Sequence, residues 1–210
     1  YISGAILFEE TLFQDHQDGE PMVKKLNDLG IIPGIKVDKG LNPLPGGEDV
    51  ETFCSGLDGL VGRAAKYYEQ GARFAKWRAV LQITNDGCPS KLSIQENAWG
   101  LARYARSVQE SGLVPIIEPE ILMDGNHTIE KTAQVQEEVI KQVYIACQAN
   151  GVFLEGTLLK PSMTVNGAEC PTKADPMKVA EMTIRTMERC VPASVPGIVF
   201  LSGGLSEEAA

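Results

Sequence analysis

Six short apolar runs separated by five longer amphipathic stretches leave this chain few folds to choose from. The runs cover residues 3–11, 31–37, 72–81, 113–121, 152–159 and 197–201, and several hold consecutive β-branched or aromatic residues, as buried strands do. The stretches at 21–29, 50–69, 90–110, 128–149 and 176–189 place apolar side chains at helical spacing, most with Gly or Pro close to an end. Strand and helix in alternation predict an α/β chain with a parallel sheet. A doubly wound open sheet and a (β/α)8 barrel both fit. Two features favour the barrel. No G-x-G-x-x-G and no G-x-x-x-x-G-K-[ST] follows a strand, so the usual nucleotide loops of open sheets are missing. Polar residues also sit at alternate positions within the strands or at their C-terminal ends, where barrel enzymes keep their chemistry.

With 43% hydrophobic and 22% charged residues in 210, the chain has the composition of an ordinary globular core, and residues 1–210 read as a single domain. The net charge of −9 argues against nucleic acid or an anionic membrane as partner, since both need an excess of Lys and Arg. Five scattered cysteines with no C-x-x-C read as free thiols in a reducing, intracellular compartment. His16 and His127 are the only histidines, so a His-based zinc site is not expected. No apolar run approaches the ~20 residues of a membrane span. Tyr1 opens almost directly on a strand, which predicts further chain before it, and residues 206–210 read as the start of a helix.

Between residues 90 and 110, Trp99, Leu101, Ala102, Tyr104, Ala105 and Val108 form a predicted core stripe, leaving Glu96, Arg103, Arg106 and Gln109 for water. The strands are less ordinary. Side chains two apart on a strand share a face. Lys36 and Asp38, Lys76 and Arg78, and Glu118 and Glu120 are three such pairs on three successive strands, with Ile35, Val37, Trp77 and Ile117 on the opposite face. One pair alone is an ordinary strand-end charge on a solvated rim. Three pairs in strands that otherwise read as buried need one another, because an unpaired buried charge is costly.

A seventh charge, Lys160, follows Leu158 and Leu159 at the end of the fifth run. A lysine there either snorkels to water or stays among its neighbours. An amine stripped of water, with other cations beside it, is disfavoured in its charged form and becomes a nucleophile able to form a Schiff base. A carboxylate close by suits the proton transfers of carbinolamine dehydration and imine hydrolysis. Four cations (Lys36, Lys76, Arg78, Lys160) against three carboxylates (Asp38, Glu118, Glu120) leave a positive surplus that suits an anionic, phosphorylated substrate. The run Ser202-Gly203-Gly204 before a helix start offers backbone N–H groups for a phosphate, a weak signal taken alone.

These residues closely resemble those of class I fructose-bisphosphate aldolases. The resemblance is carried by Ala5-Ile-Leu-Phe-Glu-Glu-Thr-Leu, Gly34-Ile-Lys-Val-Asp-Lys-Gly, Phe74-Ala-Lys-Trp-Arg, Val114-Pro-Ile-Ile-Glu-Pro-Glu-Ile, Leu154-Glu-Gly-Thr-Leu-Leu-Lys-Pro and Phe200-Leu-Ser-Gly-Gly. It implies a (β/α)8 TIM barrel of which the chain covers about strands 2 to 7. It further implies Lys160 as the Schiff-base lysine, Glu118 as the principal acid/base, Lys76 assisting at the reacting centre and Glu120 supporting the charge network. Ser202, Gly203 and Gly204 would cradle one phosphate, with Lys36, Asp38 and Arg78 in the charged lining. The implied activity is reversible cleavage of fructose 1,6-bisphosphate to dihydroxyacetone phosphate and glyceraldehyde 3-phosphate, in glycolysis, gluconeogenesis and plastid carbon fixation, with no metal and no cofactor. Homotetramers are the family's usual state, cytoskeletal contacts are a further kind of partner, and the location is cytoplasmic or plastid. The family's first-strand aspartate, the arginine near its eighth strand and its terminal tyrosine have no counterpart among these 210 residues. Two other readings stay open on residues alone: a different Schiff-base barrel enzyme, such as a transaldolase or deoxyribose-phosphate aldolase, and a scaffold that keeps the fold without the chemistry.

Overall fold

A computed structural model describes residues 2–200, 205, 206 and 208. Its centre is a parallel sheet built from β1 (Gly4–Leu7), β2 (Ile32–Lys36), β5 (Phe74–Leu81), β6 (Val114–Ile121) and β7 (Leu158–Leu159), paired in that order. A further parallel bridge joins Leu159 to Ile198, so the six predicted runs lie side by side in chain order. Strands that neighbour one another in sequence order, linked by helices, are the arrangement of a barrel wall. The molecule is a partial TIM barrel.

Helices α3 (Leu60–Gln70), α4 (Lys91–Gln109), α5 (Ile129–Ala149) and α6 (Pro176–Cys190) form the outer layer. Their starts are written in the sequence. Ser90, Thr128 and Asp175 each accept a hydrogen bond from the backbone N–H three residues on, and Pro176 occupies the first turn of α6, where its missing N–H costs nothing. The core lies between sheet and helices, where Ile35, Val37, Trp77 and Ile117 are buried as expected. Trp77 stacks on Tyr104 of α4 with ring centroids 5.4 Å apart. The Tyr104 hydroxyl lies 2.7 Å from the Ala75 carbonyl and 3.1 Å from that of Ile116, tying β5 and β6 together from outside.

Several local expectations fail for identifiable reasons. The run 3–11 is strand only to Leu7; the chain then turns into a short helix, α1 (Glu9–Phe13), whose glutamates suit a helix N-terminus. The stretch 50–69 is not one helix. Thr52–Cys54 (β4) pairs antiparallel with Leu41–Pro43 (β3), and α3 begins only at Leu60, after Gly59 at φ 67°. Glycines and β-favouring Thr-Phe-Cys outweigh the helical periodicity there. Residues 152–159 hold a 3-10 turn, Leu154–Gly156, and only then the two-residue β7. A second short helix, α2 (Met22–Asp28), lies within the predicted stretch 21–29. Trp99 is half exposed rather than in the core stripe, and Gln109 bonds the loop at Phe153 and Gly156 instead of facing water. Position 34 requires glycine, because a Cβ would sit 2.1 Å from the Phe74 ring.

Candidate active site

All seven predicted charges meet at the C-terminal end of the sheet. Parallel register does the work: Lys36 lies beside Lys76, and Arg78 beside Glu118, while Lys160 follows directly on β7, whose Leu159 pairs with Ile117. Alternation then turns Lys36, Lys76, Arg78, Glu118 and Glu120 to the inner face and their neighbours to the core.

The charges form an alternating row. Lys36 Nζ is 2.5 Å from Asp38 Oδ1, Lys76 Nζ lies 3.8 Å from Asp38 Oδ2 and 3.3 Å from Glu118 Oε2, and Lys160 Nζ donates to Glu118 Oε1. To one side Arg78 Nε donates to Glu120. Every cation touches a carboxylate, which is how buried charge is tolerated. Asp38 and Glu118 are the deepest, each side chain 4% exposed, whereas Lys36 and Arg78 are at 30% and 38%. Glu120 holds the Arg78 guanidinium above its ordinary pKa against the cost of burial, with the Glu118 and Asp38 charges adding to the effect. Lys36 also stands 5.9 Å over the Phe8 ring, at the rim. Cys54, next to Asp38, has its thiol pushed up to about 12 by burial and then by that carboxylate, which keeps it out of nucleophilic chemistry.

Below Lys160 the inner face turns apolar, around a cavity of about 480 Å³ whose lining includes Phe74, Val114, Ile116 and Leu158. The amine thus stands at the boundary between an apolar floor and a charged rim. Chemically, a primary amine in hydrogen-bond contact with a glutamate, with a second lysine on that glutamate's other oxygen, is equipped for carbonyl attack and proton transfer. Among the described residues no three His, Cys, Asp or Glu side chains are grouped so as to hold a metal ion. Ser202, Gly203 and Gly204 lie outside the described residues.

A family model described as "Fructose-bisphosphate aldolase class-I" matches residues 1–210. The chain belongs to that family. It is 58% identical over 207 residues to "Fructose-bisphosphate aldolase 1, chloroplastic" of Pisum sativum, covering 99% of this chain and 57% of the pea protein. It is 56% identical over 208 residues to "Fructose-bisphosphate aldolase" of Dictyostelium discoideum, covering 99% of this chain and 58% of that one. Among solved structures, a Plasmodium falciparum fructose-bisphosphate aldolase in complex with TRAP and a small-molecule inhibitor superposes with a TM-score of 0.96 at 56% identity. That match covers 99% of this chain and 60% of the Plasmodium chain. The chain therefore spans a little over half the length of the relatives it matches.

Sequence reasoning did not single out the support behind the site. Gln136 of α5 is 1% exposed and bonded to Ser162 and Thr164 in the segment that follows Lys160. Its signal was present: a glutamine between Val135 and Val139 lies on the apolar face of an amphipathic helix and must find partners there. Glu51 is a third buried carboxylate, and it serves structure: Oε1 accepts the Ser90 N–H at 2.6 Å and Oε2 the Ser90 hydroxyl at 2.8 Å, holding the cap of α4.

Proposed function

We propose that the protein is a fructose-bisphosphate aldolase acting through a Schiff base on Lys160. One observation carries the reading. The Lys160 amine, at the C-terminal end of a parallel strand, is hydrogen-bonded to Glu118, whose other oxygen faces Lys76. A snorkelling lysine would leave for water; this one turns inward with its side chain 15% exposed.

In this reading the amine attacks the ketone carbon of fructose 1,6-bisphosphate, forming a carbinolamine. Glu118 carries protons to the departing hydroxyl, water leaves, and the imine is set. With the imine nitrogen protonated, Glu118 takes the proton of the C4 hydroxyl as the C3–C4 bond breaks and its electron pair passes into the iminium, giving a neutral enamine on Lys160 and releasing glyceraldehyde 3-phosphate. Protonation of the enamine carbon and hydrolysis of the imine, again through Glu118, release dihydroxyacetone phosphate and restore the amine. Lys76, 3.3 Å from Glu118, holds negative charge that develops at the reacting centre, and Glu120 keeps Arg78 in place. Lys36 and Arg78 line the rim, with the buried Asp38 beneath them between Lys36 and Lys76, and Ser202, Gly203 and Gly204 receive one phosphate.

Family kinship is the support for homotetrameric assembly and for a cytoplasmic or plastid location; of the relatives named above, the pea protein carries the word chloroplastic and the Dictyostelium one does not. The test is chemical. Borohydride added with dihydroxyacetone phosphate should leave a reduced adduct on Lys160, located by peptide mass spectrometry, and Lys160→Ala should abolish both adduct and turnover. A wild-type protein that cleaves fructose 1,6-bisphosphate with no adduct on Lys160 would overturn the mechanism. Turnover of a different ketose phosphate alone would overturn the substrate.

A further inference from the structure

The ladder between β6 and β7 stops where the chemistry starts. Lys160 donates its backbone N–H to the Ile117 carbonyl at 2.8 Å. Beyond that rung the two chains carry Pro119 and Pro161, neither of which has an N–H to donate. Glu118 and Glu120 straddle the first proline and Lys160 directly precedes the second. Left to backbone pairing, the amine would stand at the frayed end of a two-residue strand, across from an acid that β6 holds by its pairing with β5.

A side-chain bridge replaces the missing rung. Ser162 Oγ accepts the Ile121 N–H at 3.2 Å, joining the end of β6 to the chain two residues past Lys160. Gln136 of α5 then fixes that serine twice, Nε2 lying 2.8 Å from the Ser162 carbonyl and 3.1 Å from its hydroxyl. The glutamine is itself oriented, since the Thr164 hydroxyl donates to Oε1 at 2.5 Å. All four residues are buried, Gln136 and Thr164 almost completely. Burial makes the network stiff, because a lost partner leaves a polar atom stranded.

We infer that Gln136 and Ser162 are positioning residues for the reaction, a clamp that sets the distance between the Lys160 amine and Glu118. The inference rests on the aldolase reading. Neither residue lies among the charges proposed to meet substrate, so loss of the clamp degrades the reacting geometry and leaves the rim cations Lys36 and Arg78 in place. The signature is a fall in kcat with little change in KM, because misplacement of reacting atoms by about 1 Å costs up to about 100-fold in rate.

The experiment uses the full-length protein and rapid quenching into borohydride at saturating dihydroxyacetone phosphate, which reads the rate of imine formation on Lys160. Gln136→Met keeps the volume and removes every bond; Ser162→Ala releases the Ile121 N–H and one of the two Gln136 contacts, leaves Gln136 bonded to the backbone carbonyl at 162, and serves if the first variant does not fold. Thr183→Val is the control. Its hydroxyl accepts the Thr164 N–H at 2.9 Å, a buried bond to the same segment that touches neither Gln136, Ser162 nor β6 directly. We expect imine formation and kcat to fall about tenfold or more in the clamp variants, with KM within about twofold, and to stay at the wild-type rate in Thr183→Val even though its Tm drops. Folded clamp variants that trap at the wild-type rate overturn the inference, as does an equal loss in Thr183→Val. A wild-type protein that traps nothing on Lys160 brings down the aldolase reading, and the clamp with it; wild-type trapping with unchanged variants brings down the clamp alone.

Discussion

Replacing Glu118 by glutamine tests the centre of the row. The change keeps the shape and removes one charge between two amines. Lys76 lies 3.3 Å from one oxygen and Lys160 bonds the other, so the variant leaves two cations facing a neutral amide at a site where the carboxylate was 4% exposed. At an effective dielectric of ~20, one such contact is worth about 5 kcal/mol before desolvation is counted. Removing one member of a buried pair costs about 3–5 kcal/mol net. In a chain of 210 residues each kcal/mol moves Tm by about 2–4 °C, so a loss of about 6–20 °C is expected by calorimetry. Catalysis should suffer separately. A glutamine cannot carry the protons of carbinolamine dehydration, and losing a general acid/base slows turnover by about 10²–10⁴. KM should hold, since Lys36 and Arg78 are untouched. Steady-state cleavage of fructose 1,6-bisphosphate gives kcat and KM, and borohydride trapping shows the carbinolamine stage as lost adduct. A folded variant with kcat within threefold of wild type would refute the assignment of Glu118.

Arg78→Ala should raise KM for the bisphosphate about tenfold or more with a smaller effect on kcat, the loss of one charge-assisted hydrogen bond being worth about 1.5–3 kcal/mol. Gly34→Ala should cost about 1–3 kcal/mol of stability in urea titration, because the new Cβ meets the Phe74 ring at 2.1 Å; the penalty should shrink when Phe74→Leu is added. Burial alone would raise the Glu51 pKa, but N–H donors from Ser90 and Glu48 outweigh it and the net shift is downward. Its stabilising contribution is therefore full above the unfolded value near ~4.3 and fades as pH falls through the lower folded value, so Glu51→Gln should flatten the acid limb of a Tm-against-pH curve.

The barrel wall was legible because its long strands, β5 and β6, are buried on both faces and its helices on one, and each pattern has its own period. β5 and β6 are eight-residue strands close to their predicted bounds, and α4, α5 and α6 start at side-chain caps visible in the sequence. What escaped were elements set by a single turn. Leu41–Pro43 and Thr52–Cys54 pair across a loop that turns at Pro45-Gly46-Gly47, and nothing in the periodicity of 50–69 separates that hairpin from the helix after Gly59. The charges were legible as pairs, since spacing by two fixes the face, but not their order. That Asp38 stands between Lys36 and Lys76, while Glu120 turns aside to Arg78, depends on the stagger between strands, which no single strand encodes. The clamp at Gln136 escaped because a polar residue on an apolar helix face announces a need for partners without naming them.

Exposure divides the four cations into two kinds. Lys76 and Lys160 have side chains only 11% and 15% exposed and share the carboxylate of Glu118, whereas Lys36 and Arg78, at 30% and 38%, stand at the rim, Arg78 on Glu120 and Lys36 on Asp38, which also faces Lys76. A sugar bisphosphate brings about three to four negative charges at neutral pH, each phosphate contributing roughly 1.5 to 2. The row has a surplus of one positive charge, so it cannot neutralise such a ligand while every resting pair is kept. The pairs that give way most cheaply are the hydrated ones, because water replaces much of what a leaving partner supplied. On the aldolase reading, the rim cations are therefore those that turn from Asp38 and Glu120 towards phosphate, and the buried pair keeps its glutamate and does the chemistry. Asp38 and Glu120 then act as place-holders that keep two rim cations folded and oriented until substrate arrives.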